Sequence, residues 1–153
     1  MKTNSSLSNV LHALLHMAER DGPTTSEALA AAMQTNPVVA RRLMAGLRYA
    51  GFVTSAKGHG GGWVLSCPLS QVTLGDIYEA LGAPRLLAVG NRNERPGCVV
   101  EQAVNAALDD AFAQAQSALM ARLNAVTLAS LSEDLHRRMV AGNCSIKDIA
   151  HAS

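Results

Sequence analysis

The chain has 153 residues, 48% hydrophobic and 16% charged, enough for one compact domain with an appended arm, too short for a barrel enzyme and too apolar for a disordered chain. Thirteen basic against twelve acidic residues leave a formal net charge of +1, so bulk charge selects no partner, and no apolar run approaches the roughly 18 residues of a membrane span. Cys67, Cys98 and Cys144 are too few and too scattered for a disulfide framework and suit a reducing compartment, which makes a soluble cytoplasmic protein the expectation.

The N-terminal stretch imitates a secretion leader, but Asn9, His12 and His16 interrupt it, and Glu19, Arg20 and Asp21 follow at once. Val10, Leu11, Leu14, Leu15 and Ala18 fall at helical spacing and predict a helix over about residues 8–20, stopped by Gly22 and Pro23. Thr24 with Glu27 three positions on reads as a capping box for a short second helix, whose apolar face is Ala28, Leu29, Ala32 and Met33. Asn36 as N-cap and Pro37 at the first helical position open a third helix ending near Gly51, with Val39, Leu43, Met44 and Leu47 on one side. Two such helices joined by a short connection, the second bearing Arg41, Arg42 and Arg48, have the layout of a helix-turn-helix, a spacing that generic helical pairs share. Charge is local here: residues 28–75 contain no Asp or Glu, while Arg41, Arg42, Arg48 and Lys57 all fall inside that window.

Two short strands, residues 52–55 and 63–66, flank Lys57-Gly58-His59-Gly60-Gly61-Gly62 and predict a hairpin with a glycine tip. A nucleotide loop would need a strand-loop-helix context and a Lys-Ser/Thr pair after the glycines, and neither is present. Glycine instead admits close backbone approach, with Lys57 and His59 supplying donors for phosphate or the minor groove, which reads as a wing. Thr73 caps another short helix, with Asp76 at its third position and Val72 facing Ile77 as a staple.

Residues 82–97 have no clean period and form a loop or linker. A long helix over about residues 98–125, some 40 Å at the usual rise, places Val100, Val104, Leu108, Ala111, Ala115, Leu119 and Leu123 near one stripe. That stripe needs cover, from a second copy of the chain or from a bundle within one copy. Thr127 caps a last helix carrying Leu128, Leu131, Leu135 and Met139, and residues 142–153 read as a tail. The expected organisation is a mainly α, winged helix-turn-helix domain with a two-stranded β wing over 1–82, a linker over 83–97, dimerisation helices over 98–141 and the tail.

Taken in order, Leu47-Arg48-Tyr49-Ala50-Gly51-Phe52-Val53, Gly58-His59-Gly60-Gly61-Gly62-Trp63-Val64-Leu65, Val72-Thr73-Leu74-Gly75-Asp76-Ile77 and Thr127-Leu128-Ala129-Ser130-Leu131 resemble the Rrf2-type winged-helix transcription regulators, over nearly the whole chain. This is the family of the iron-sulfur cluster regulator and the nitrite-sensitive repressor. Its best-known members hold a [2Fe-2S] cluster with three cysteines spaced six apart before the long helix. Here the matching positions are Leu86, Arg92 and Cys98, Glu101 stands where a histidine ligand can occur, and Ser8 where an Asp ligand occurs in some relatives. One thiolate cannot hold the cluster, so no iron-sulfur cofactor is expected, and the chain is closer to a cluster-free branch with a single loop cysteine.

The resemblance implies a dimeric, sequence-specific DNA-binding regulator, a repressor, acting on double-stranded DNA at an inverted repeat, and not an enzyme or a membrane protein. The expected DNA-contacting residues are Thr25, Ser26, Asn36, Val38, Arg41, Arg42 and Arg48 from the helix-turn-helix, with Lys57, His59, Gly60 and Trp63 from the wing. Dimerisation is expected through Val104, Leu108, Ala111, Ala115, Leu119 and Leu123. Cys98, at a helix N-terminus with Arg95 nearby, is a candidate sensor of oxidants or electrophiles, the alternatives being a packing residue there and an unidentified small-molecule effector. Cys67 and Cys144 read as inert, and His12 with His16 as ordinary histidines rather than a metal site. An enzyme would need a base for Cys98, and His136 is distant in sequence. A helical interaction scaffold that does not bind DNA is the alternative function.

Overall fold

The computed structural model describes residues 5–85, 91 and 97–142. In chain order the elements are α1 (Ser6–Ala18), α2 (Ser26–Ala32), α3 (Pro37–Tyr49), β1 (Val53–Ala56), β2 (Gly62–Leu65), a 3-10 turn (Leu69–Gln71), α4 (Leu74–Ala80), α5 (Val99–Asn124) and α6 (Leu128–Gly142). This is the expected mainly α architecture with a two-stranded antiparallel wing. The tail beyond residue 142 and most of the expected linker lie outside the described residues.

Helix ends explain the element boundaries. Gly51 takes a φ of +86°, and Gly51 N–H and Phe52 N–H donate to the carbonyls of Arg48 and Leu47, a Schellman end to α3. Phe52 is spent in that cap, so β1 starts at Val53 rather than at Phe52, and Val53 pairs with Leu65. α4 ends in the same way at Gly82. α2 does too, but with Gln34 in the left-handed position at a φ of +51°.

The cap of α2 is one residue later than the pattern predicts. Thr25, not Thr24, accepts the N–H of Ala28, at 3.1 Å. Thr24 is buried and exchanges two backbone hydrogen bonds with Trp63, of 2.9 and 2.8 Å, adding a one-residue rung beside β2. Pairing with a residue far along the chain removes Thr24 from the local cap.

The core is Val10, Leu14 and Met17 of α1, Leu29 and Met33 of the second-helix segment, Ala40, Met44 and Leu47 of α3, then Val53, Trp63, Val72, Ile77 and Leu128. Leu128 is 1% exposed, so α6 is rooted in the same core as the helix-turn-helix. Its root is a backbone clasp in which Leu74 N–H donates to Val126 O and Leu128 N–H to Val72 O, both at 2.9 Å. The expected capping box of α4 is complete: Thr73 N–H donates to Asp76 Oδ2 and Asp76 N–H to Thr73 Oγ1. Val72 and Ile77 are both buried beside it, as a staple requires. No residue of α5 is buried among the described residues; Val104 is 51% exposed and Leu108 and Leu119 each 37%, so the described part of the chain leaves most of this stripe open. Among the described residues no helix is long and apolar enough to cross a membrane.

Candidate nucleic-acid interface

Each residue of a helix advances about 100° around the axis, which sorts α3 into two sides. Ala40, Met44 and Leu47 point into the core. Val38, Arg41, Arg42, Ala45, Arg48 and Tyr49 share the opposite, exposed arc, with Val38 70% and Tyr49 97% exposed. Asn36 fixes where this helix begins, its Oδ1 accepting the N–H of Val39 at 3.0 Å with Pro37 in the first turn.

The three arginines diverge along that arc. Arg41 Nη2 lies 3.2 Å from Glu27 Oε1 on α2, so it points at the helix-turn-helix corner. Arg48 turns to the wing: its Nη1 donates to Ser55 Oγ at 3.5 Å and its guanidinium carbon is 5.9 Å from the Trp63 ring centroid. Arg42 lines a cleft toward the end of α4, with Leu43, Gly46, Ala80, Leu81 and Pro84.

Beside α3 the wing carries Lys57, His59 and Gly60, all exposed. Gly58 and Gly60 adopt φ of +97° and +75°, and Gly61 N–H closes the turn on Gly58 O at 3.0 Å. At Gly62 a side chain would meet the backbone carbonyl of Thr24, so glycine is what lets the wing dock on the residues leading into α2.

Trp63 departs from its expected role as a contact. It is 8% exposed, and its Nε1 donates to Ser26 Oγ at 3.1 Å. With Arg48 over its face, the indole ties the start of α2 to β2 and α3. Thr25 caps α2 and is exposed; Ser26 is half-buried with the indole as its donor. Sequence reasoning missed Tyr49, on the exposed arc of α3, and Glu27, the partner of Arg41. The 3.6-residue period alone places Tyr49 beside Arg42 and Val38; the Glu27 contact crosses between two helices and has no local signal.

The two described thiols differ. Cys98 is the exposed N-cap of α5, and the backbone N–H groups of Glu101 and Val100 hold its pKa below the ordinary thiol value. Burial pushes the Cys67 thiol up, and its Sγ donates to Phe52 O at 3.6 Å. Cys144 and Arg95 lie outside the described residues. His12 and His16 place their Nε2 atoms 2.7 Å apart, and burial, His12 and Arg20 lower the pKa of His16. Among the described residues no group of three or more His, Cys, Asp or Glu side chains could hold a metal ion.

Comparison with known proteins agrees with this arrangement. The sequence model of the Rrf2 family, described as iron-dependent transcriptional regulators, matches residues 3–134. A Bacillus subtilis protein named as an HTH-type transcriptional regulator, YwnA, is 31% identical over 132 residues, covering 86% of this chain and 98% of its own. The crystal structure of a Lactobacillus plantarum protein, named as a transcriptional regulator, superposes with a TM-score of 0.72 at 26% identity, covering 90% of this chain and 93% of its own. CymR, the global cysteine regulator of B. subtilis, shares the fold with a TM-score of 0.61 at 23% identity, over 87% of this chain and 96% of its own. These relatives are regulators of transcription and not enzymes, and with its DNA-binding winged-helix fold the chain belongs to the Rrf2 family of transcriptional regulators.

Proposed function

We propose that the protein is a dimeric, sequence-specific repressor that sets α3 in the major groove of an inverted-repeat operator and lays the wing on the adjacent minor groove or phosphates. The observation that carries this reading is the exposed arc of α3, with Val38, Arg41, Arg42, Ala45, Arg48 and Tyr49 on one side and Lys57 and His59 of the wing next to it. Arg41, near the start of α3, is the base reader; Arg42, Arg48 and Lys57 meet phosphates. Thr25, Ser26, Asn36, His59 and Gly60 line the approach to the backbone. Two-fold symmetry comes from α5, whose exposed Val104, Leu108, Ala111, Ala115 and Leu119, with the half-buried Leu123, would be covered by the same helix of a second copy.

Cys98 is the proposed redox or electrophile sensor. The donor set does not fit the iron of the family description: of the three positions that match the cluster cysteines, Leu86 and Arg92 offer no ligand atom and only Cys98 offers a thiol. Regulation by a cluster is therefore not proposed, and the protein is expected to work without iron in the cytoplasm.

The test is selection of bound duplexes from a random-sequence library by the purified protein, with light scattering at micromolar concentration. An enriched inverted repeat, bound by a dimer with a steep salt dependence, is the expected result. A dimer that enriches no sequence and binds duplex without salt dependence would return the protein to the class of interaction scaffolds.

A further inference from the structure

Glu27 stands at the border of the acid-free stretch over residues 28–75 and points its carboxylate at the helix that carries the proposed base reader. The contact is single, Arg41 Nη2 to Glu27 Oε1 at 3.2 Å, and joins side chains 54% and 68% exposed. An ion pair so exposed contributes little to folding, because water and salt screen it. A carboxylate beside a DNA-facing surface also repels phosphate, so its presence lowers general affinity. What it does supply is orientation. Guanidinium has five donors in a planar fork, and one contact biases the arginine toward the α2–α3 corner while leaving most of the fork open. An arginine held this way reaches a base edge with less side-chain entropy to lose than one that is free to rotate.

We infer that Glu27 is a positioning residue for base reading: by holding Arg41 across the α2–α3 corner it determines which base pair the guanidinium discriminates, and how sharply. The inference rests on the proposed role of Arg41 as the base reader.

The experiment selects duplexes from one random-sequence library with four full-length proteins at a single salt concentration: native, Glu27→Gln, Arg41→Ala and the double variant. Binding constants are then measured for the native consensus and its single-base variants. Glu27→Gln keeps the shape and removes the charge. It is expected to lower discrimination at the Arg41 base pair by about fivefold or more and leave the other positions unchanged. Once Arg41 is alanine, Glu27→Gln should no longer alter the preference at any position. The inference is overturned if Glu27→Gln shifts every sequence by the same factor, the signature of a charge acting on phosphates, or if its effect on preference persists without Arg41. A native protein that enriches a consensus which Arg41→Ala leaves intact overturns the base-reading role of Arg41 itself, a distinct failure.

Discussion

Thr24 and Trp63 exchange backbone hydrogen bonds of 2.9 and 2.8 Å, and the Thr24 carbonyl lies only 2.5 Å from where a Cβ on Gly62 would stand. The wing is therefore fastened to the chain entering α2 by main-chain contacts that tolerate no side chain at the crossing. Two parts of the proposed DNA surface, the start of α2 and the hairpin, owe their relative placement to this pair and to the hydrogen bond from the Trp63 indole to Ser26.

Gly62→Ala is expected to destabilise the fold by about 1–3 kcal/mol, because the obstructing atoms are backbone and cannot rotate aside. Gly75→Ala makes a useful contrast. The added carbon there meets the side chain of Asn124, which can swing away, so the cost should be smaller. Urea unfolding of both variants checks the order; a Gly62 variant as stable as native would show that the Thr24–Trp63 rung yields freely. Gly61→Val, facing the carbonyls of Ala56 and Gly58, should distort the hairpin itself and weaken binding without deleting charge.

Arg41→Ala is expected to reduce specific binding by about 1–3 kcal/mol and to reduce random-sequence binding much less. Titrations at one fixed salt concentration compare the two. An unchanged ratio of specific to random affinity would assign Arg41 to the phosphates with Arg42 and Arg48.

Lys57→Ala removes a cation from the exposed wing and should lower affinity for all sequences alike, with the slope of log K against log salt falling by roughly one. A salt slope equal to that of the native protein would mean that Lys57 never reaches the DNA.

Much of this was legible in local signals. The caps at Asn36 and Thr73, the wing glycines and the helical periods all reside within a few residues of the features they specify. What escaped was decided across the fold. The capping-box spacing to Glu27 points to Thr24, and only the pairing with Trp63 removes it and leaves the cap to Thr25. Four residues of β2 cannot tell an inward from an outward tryptophan; Ser26 and Arg48 decide it. Gln34 ends α2 in a conformation that usually calls for glycine, and so left no mark in the sequence. The stripe on α5 was readable as a pattern, and among the described residues nothing buries it.

Leu119→Asp should convert the proposed dimer to a monomer, since a carboxylate in a helix-helix seam would be desolvated without a partner. Leu119 is 37% exposed in one copy, so the substitution should leave the monomer fold intact. Light scattering on both proteins decides: a native monomer at micromolar concentration, bound to a single half-site, removes the two-fold reading.

Cys98 and Cys67 should both gain reactivity as pH rises, with midpoints displaced to opposite sides of an ordinary thiol's. Backbone N–H groups of Glu101 and Val100 favour the Cys98 thiolate, so its alkylation should gain speed at a lower pH than that of an ordinary thiol; Cys67, raised by burial, should lag behind one. Iodoacetamide labelling across pH 6 to 10, roughly the span on either side of an unperturbed thiol pKa, read residue by residue by mass spectrometry, tests this. For the reactive thiol to be a switch, its oxidised form must also favour a state with poorer DNA affinity, because a modification that affects both states equally shifts nothing. Mild peroxide is therefore expected to weaken operator binding by the native protein and to spare Cys98→Ser. Equal responses would make Cys98 a reactive bystander at the head of α5, and the signal would have to enter elsewhere. The cleft beside Arg42, between α3 and the end of α4, would then be the first place to look for it.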